Sequence, residues 1–96
     1  MTKRGFYVIA YDIPDDTRRL KVARLLERFG DRVQHSVFEL YLTPEEVATL
    51  EARLRALLNE AEDVVHWYAL CALCRQRTRV LGRGQTTSPP PVVKVI

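Results

Sequence analysis

The chain has 96 residues, 47% of them apolar, and a net charge of +3 from 15 basic and 12 acidic side chains. That length suits one domain with a single core and excludes a cofactor-binding half joined to a substrate half, so a dinucleotide-dependent or two-domain enzyme is ruled out. The charge is uneven: residues 1–43 carry +2, residues 44–70 carry −4, and residues 71–96 carry +5 with no acid at all.

Residues 5–11, GFYVIAY, form an unbroken apolar run rich in β-branched and aromatic side chains, which reads as a buried central strand. DIPDDT then turns the chain into a helix, with Asp16 or Thr17 expected to accept hydrogen bonds from the first-turn amides. Val22, Leu25, Leu26 and Phe29 fall on one helical stripe, and Arg18, Arg19, Lys21, Arg24 and Arg28 lie largely off it. Gly30 is expected to end the helix in the left-handed cap position. Residues 32–42 (RVQHSVFELYL) have strand composition, but neither alternating set is cleanly polar, which leaves one strand or two short ones joined by a kink.

Thr43-Pro44-Glu45-Glu46 reads as a helix start, with Thr at the cap, Pro first and Glu46 closing a capping box. Val47, Leu50, Leu54, Leu57 and Leu58 continue it to about Asn59. Residues 63–70 (DVVHWYAL) read as another buried strand. Thr78–Leu81 reads as a short one before Gly82-Arg83-Gly84 breaks the chain. The proline triplet in QTTSPPP, residues 85–91, makes a semi-rigid spacer. Residues 92–96 (VVKVI) are an apolar strand suited to a sheet edge, its own or another subunit's.

This succession points to an α+β fold of the βαββαβ, ferredoxin-like kind, with both helices on one face of one sheet. Residues 1–84 would be the domain, 85–91 the spacer and 92–96 an extra C-terminal strand. The hairpin that the fold requires must lie within residues 32–42, where no turn signal stands out. The N-terminal apolar run is too short for a signal-peptide core, and the longest uncharged run, Val64–Cys74, falls far short of a membrane span. A cytoplasmic protein without membrane contact is expected.

Asp12 directly follows the first strand, which sets its carboxylate at the mouth of the sheet. Hard divalent cations take such oxygen donors, and an Asp capping the turn before Pro14 has the same spacing. Asp15 and Asp16 suit helix capping and pairing with the helix dipole. Arg18 and Arg19 sit beside that turn and Arg32 opens the next strand, so the three suit a grip on phosphates, whereas Arg24 and Arg28 read as solvated. Cys71 and Cys74 form a lone CxxC without the other ligands that zinc needs, and they read as ordinary reduced cysteines near a strand end. His35 and His66 lie in strand-like runs and read as packed or edge-exposed. Gly82–Gln85 lacks the lysine and following helix of a phosphate loop, and the aromatic platform motif of RNA binders is missing. The acid-free C-terminal segment suits a face that meets nucleic acid, and a solvated basic tail has the same composition.

Tyr11-Asp12-Ile13 closes the first strand, Asp15-Asp16 with Arg18 and Arg19 opens the helix, and Gly30-Asp31-Arg32-Val33-Gln34 leads into Ser36-Val37-Phe38-Glu39. Together these resemble the Cas-two family, small CRISPR-associated proteins that accompany the CRISPR integrase. The Gly82-Arg83-Gly84 turn is similar to the family's ending, and the resemblance runs from about residue 5 to residue 96. It implies a ferredoxin-like homodimer whose C-terminal strand packs on the partner's sheet. It also implies that Asp12 is catalytic and metal-binding, one from each protomer across the dimer axis, with magnesium or manganese as the ion. Tyr11, Arg19, Arg32, Ser36 and Phe38 carry over to supporting roles, and Arg18 joins them by its place beside the turn. His35 stands where many members have Tyr, and the CALC segment is not a general family feature.

The implied activity is metal-dependent endonucleolytic cleavage of single-stranded RNA or double-stranded DNA, with the CRISPR integrase and nucleic acid as partners. In that mechanism two Asp12 carboxylates hold one ion that polarises the phosphodiester and activates water, while Arg19 and Arg32 steady the developing charge. One alternative is a non-catalytic homodimeric DNA-binding adaptor that bridges integrase dimers. Another is a toxin-like ribonuclease of similar fold, of the virulence-associated-protein-D kind.

Overall fold

The computed structural model describes residues 3–84. The first apolar run is strand β1 (Gly5–Asp12), followed by helix α1 (Asp16–Glu27), strands β2 (Gly30–Gln34) and β3 (Val37–Leu42), helix α2 (Pro44–Leu57), strand β4 (Val64–Leu70) and the short helix α3 (Ala72–Gln76). The four strands form one sheet in the order β2-β3-β1-β4, antiparallel at every pairing, so β1 is central as its composition requires. This is the ferredoxin-like βαββαβ arrangement, with α1 and α2 on the same face. The expected spacer at 85–91 and strand at 92–96 lie outside the described residues.

Strand alternation sorts the sheet into two faces. Ile9 sits opposite Phe38 on one side and Trp67 on the other, and Tyr11 sits opposite Val65. These residues meet Val22, Leu26, Leu50 and Leu54 from the helices in one apolar core. Ile9, Val22, Leu26, Phe38, Leu40 and Leu50 are completely buried, and each such side chain contributes about 1.5–3 kcal/mol by leaving water. The other face lies away from α1 and α2 and carries Val8, Ala10, Val37, Tyr41, His66 and Tyr68 by register, with Arg75 of α3 over the Tyr41 ring.

Helix α2 begins as its sequence predicts. The Thr43 hydroxyl accepts from the Glu46 amide at 3.2 Å, and the Glu46 carboxylate accepts from the Thr43 amide at 2.9 Å. Of the candidate caps of helix α1, Asp15 rather than Asp16 or Thr17 accepts from the Arg18 amide, at 2.8 Å. Asp16 then lies in the first turn, where its charge complements the dipole.

Several expectations are corrected. Gly30 is not a left-handed cap; it opens β2, and Gly82 is the described glycine with positive φ, at 85°. Gly30 is required by contact instead, because a Cβ there would lie 2.4 Å from the Glu39 carbonyl oxygen across the strand pair. Residues 32–42, left open between one strand and two, are two strands joined at His35-Ser36 as the fold requires, with Gln34 paired to Val37 and an irregularity between Arg32 and Gln34. Strand β4 is not buried. Among the described residues it lies at the sheet edge with only β1 beside it, its residues alternate between exposed and half-buried, and Val64 and Tyr68 are each 49% exposed. Residues 78–81 form no strand, and α3 occupies the segment that the sequence placed at a strand end.

Candidate functional site

The antiparallel pairings bring three chain segments to one end of the sheet. Strand β1 ends at Asp12, β3 begins just after the His35-Ser36 turn, and β4 begins opposite Asp12 at Val64. The turn is tied to β1 twice. The Tyr11 amide donates to the Ser36 carbonyl at 3.0 Å, and the Tyr11 hydroxyl donates to the His35 carbonyl at 3.2 Å. The Tyr11 ring is buried and stacked on Phe38, with centroids 6.3 Å apart. A polar tip on an apolar body thus holds the hairpin against the central strand.

Between this turn and α1 lies an open cleft of about 560 Å³ lined by Tyr11, Asp12, Ile13, Arg19, Arg32 and Ser36, among others. Asp12 is exposed there, as the carboxylate of a strand end should be. Helix α1 contributes Asp16, Arg19, Leu20 and Ala23, whose spacing puts them on one helical face. Arg19 is fixed at the cleft wall: its Nη1 donates to the Ile13 carbonyl at 2.9 Å and its Nη2 pairs with the Asp16 carboxylate. The exposed Arg32 places its guanidinium over the Phe38 ring, 5.4 Å from the centroid. Phe38 itself is fully buried and reaches the cleft only as the floor under Arg32 and Tyr11.

Arg18 is not brought to this cleft. Its Nε and Nη2 donate to both carboxylate oxygens of Asp63, at 2.8 and 3.0 Å, and Nη2 also donates to Glu62 at 2.9 Å. The Asp63 side chain is fully covered, and it also accepts from the Asn59 amide at 2.9 Å. The Arg18 guanidinium, followed by the Asn59 amide, holds the Asp63 carboxyl below the usual carboxylate range. Asp63 and Glu62 in turn push the Arg18 guanidinium higher still. Consecutive helix positions point about 100° apart, so Arg18 binds the loop before β4 while Arg19 faces the cleft.

The pairing of Asp16 with Arg19 and the place of His35 in the turn go beyond the expectations drawn from the sequence. The i, i+3, i+4, i+7 set of Asp16, Arg19, Leu20 and Ala23 was a legible signal for the first. His35 was read inside a strand, but it is exposed at the turn and lines the cleft.

The donor set can be judged against a divalent cation. Among the described residues no group of three or more His, Cys, Asp and Glu side chains is placed to hold a metal ion. Asp12 offers an exposed carboxylate, whereas Asp16 is engaged by Arg19. Magnesium keeps several waters and binds through one or two carboxylates plus substrate phosphates. A single open carboxylate beside two arginines therefore fits magnesium with a phosphate ligand, and does not fit a closed structural site.

The model of the family described as CRISPR associated protein Cas2 matches residues 5–78. A relative from Synechocystis, named CRISPR-associated endoribonuclease Cas2, is 45% identical over 93% of this chain and 97% of its own. Among solved structures, a hypothetical protein from Thermus thermophilus superposes with a TM-score of 0.79 and 42% identity, covering 88% of this chain and 99% of that one. A chain of a partial Cas6-RT-Cas1–Cas2 complex superposes with a TM-score of 0.70 and 31% identity, covering 80% of this chain and 90% of that one. With the fold, the site-bearing segments and these similarities in agreement, the chain belongs to the CRISPR-associated Cas2 family.

Proposed function

We propose that this protein is an endonuclease of the CRISPR spacer-acquisition machinery that cleaves phosphodiester bonds, with RNA as its first substrate class and double-stranded DNA as its second. The observation that carries this reading is the exposed Asp12 carboxylate at the end of the central strand, sharing one cleft with Arg19 and Arg32. The endoribonuclease name of the Synechocystis relative supports RNA. The solved neighbour that sits with Cas1 supports the integrase as a partner. Cytoplasmic action fits both, and no helix among the described residues is long and apolar enough to cross a membrane.

Asp12 would hold magnesium, or manganese in its place, which when bound supplies charge to polarise the phosphodiester and lower the pKa of a water. Arg19 and Arg32 bind and orient the phosphate and stabilise the charge that develops on it. Tyr11 and the Ser36 carbonyl hold the hairpin so that Arg32 stays at the cleft. Phe38 supports Arg32 from below, and Arg18 contributes indirectly by fixing α1.

One open carboxylate per chain is a sparse set, and a homodimer would supply a second Asp12. The face of the sheet away from α1 and α2, with Val64 and Tyr68 half exposed, offers apolar surface for such an association.

The test is cleavage of single-stranded RNA and of duplex DNA by purified wild type and Asp12→Asn, with magnesium and with a chelator. Loss of cleavage in the variant and with the chelator is expected. Equal cleavage by both proteins overturns the assignment of Asp12.

A second reading, favoured by the neighbour's place in a complex with Cas1, is a non-catalytic adaptor that holds duplex DNA between integrase dimers. Spacer acquisition that survives Asp12→Asn but fails when Arg19 and Arg32 are both replaced by Glu would select it.

A further inference from the structure

The two cysteines of the chain take no part in the cleft. They lie at the far end of β4, where Cys71 caps α3 and Cys74 stands one turn later. Their sulfurs are 3.4 Å apart, and both residues are exposed. The spacing i, i+3 puts the two side chains on the same side of the turn. A disulfide bond needs the sulfurs at about 2.05 Å, so closure requires a side-chain rotation rather than a backbone rearrangement. The chain contains no third cysteine to compete for either partner. No third metal ligand joins the pair among the described residues, and the remaining ones include no His, Cys, Asp or Glu. The geometry thus favours redox chemistry over metal binding.

We infer that Cys71 and Cys74 are a reversible dithiol–disulfide site that closes within one chain by exchange with a low-molecular-weight disulfide. Cys71 is the attacking group and Cys74 the resolving one. The Cys71 sulfur accepts from the Cys74 amide at 3.5 Å. That amide, with the Cys74 thiol, holds the Cys71 thiol below the usual range, while hydrogen bonding and charge at Cys71 push Cys74 up. The thiolate is the nucleophile, so the lower member reacts first.

In the first step the Cys71 thiolate attacks one sulfur of the small disulfide, forming a mixed disulfide and releasing one thiolate. In the second, Cys74 loses its proton and attacks the Cys71 sulfur, forming the intramolecular bond and releasing the second thiolate. Two cysteine thiols are oxidised, one small disulfide is reduced to two thiols, and the protons pass to the released thiolates.

The site sits directly before Arg75, whose guanidinium lies over the Tyr41 ring, 5.6 Å from the centroid. The disulfide would therefore close the first turn of α3 beside the sheet face that lies away from α1 and α2.

The experiment incubates the reduced full chain with oxidised glutathione, quenches in acid, and counts free thiols by alkylation and intact mass without reductant. Wild type should lose both alkylatable thiols, show the loss of two hydrogens without a glutathione adduct, and recover with dithiothreitol. Cys74→Ser should accumulate a stable adduct on Cys71, and Cys71→Ser should react more slowly at Cys74. Two free thiols in wild type, a persistent adduct there, or a disulfide joining two chains would each overturn the site. Faster reaction of Cys71→Ser than of Cys74→Ser would overturn the assigned roles.

Discussion

Removing one oxygen from the tie between Tyr11 and the hairpin tests whether that tie holds the cleft together. In Tyr11→Phe the ring remains stacked on Phe38, and only the 3.2 Å hydrogen bond to the His35 carbonyl is lost. A neutral hydrogen bond contributes about 0.5–1.5 kcal/mol net. His35 is exposed, so water can replace the lost donor, and the lower part of that range applies, about 0.5–1 kcal/mol. For a chain of this size the midpoint of thermal unfolding should fall by roughly 2–8 °C. The cleavage rate should fall further, because the freed turn carries Ser36 and follows the strand of Arg32, and a misplacement of about 1 Å can cost about a hundredfold. Tyr11→Ala is the control, since loss of the whole buried ring costs about 3–5 kcal/mol. Thermal unfolding and magnesium-dependent RNA cleavage by the three proteins provide the readouts. Unchanged melting and unchanged cleavage in Tyr11→Phe would refute the idea that the hydroxyl positions the turn.

Gly30→Ala should destabilise the fold by about 1–3 kcal/mol, because its methyl meets the Glu39 carbonyl and Leu40 and must push β2 from β3; urea unfolding with an unchanged midpoint would contradict this. Asp63 titrates below its unfolded value near 3.9, so the stability it contributes is complete above about pH 4 and is lost as pH falls through its lower folded value. The stability difference between wild type and Asp63→Asn should accordingly shrink on acidification. A series of urea midpoints from neutral pH down to acid, giving a constant difference, would refute the linkage.

What the sequence disclosed was local, and what it withheld was tertiary. The capping box of α2 involves Thr43 and Glu46 alone, so its signature survives in any context. Asp12 was legible for the same reason, since the end of an apolar strand is a local fact. The turn at His35-Ser36 was not, because neither residue takes a positive φ and the usual Asn-Gly or Gly-X signal has no reason to appear. Gly30 was misread because a glycine after a helix resembles a cap, while its constraint is a carbonyl on a neighbouring strand. An apolar run such as Val64–Leu70 carries no mark of its place in the strand order, and β4 proved to be an edge among the described residues. Arg18 reaches a carboxylate 45 positions away, which no local pattern encodes. The opening of α3 as a helix was hidden by its five-residue length.

Strand β1 is paired with β3 as far as Ala10 and with β4 as far as Asp12, so the backbone of Asp12 is held on its β4 side, whereas Arg19 is carried by a helix and Arg32 by an edge strand. The carboxylate and the two cations therefore belong to parts of the molecule with different tolerance for change. Substitutions that shift α1 or the hairpin can retune how a nucleic acid is gripped without moving the oxygen atoms that would face its phosphate. Variation in substrate preference is then cheapest at the arginine-bearing elements, while the strand end stays constant beneath them.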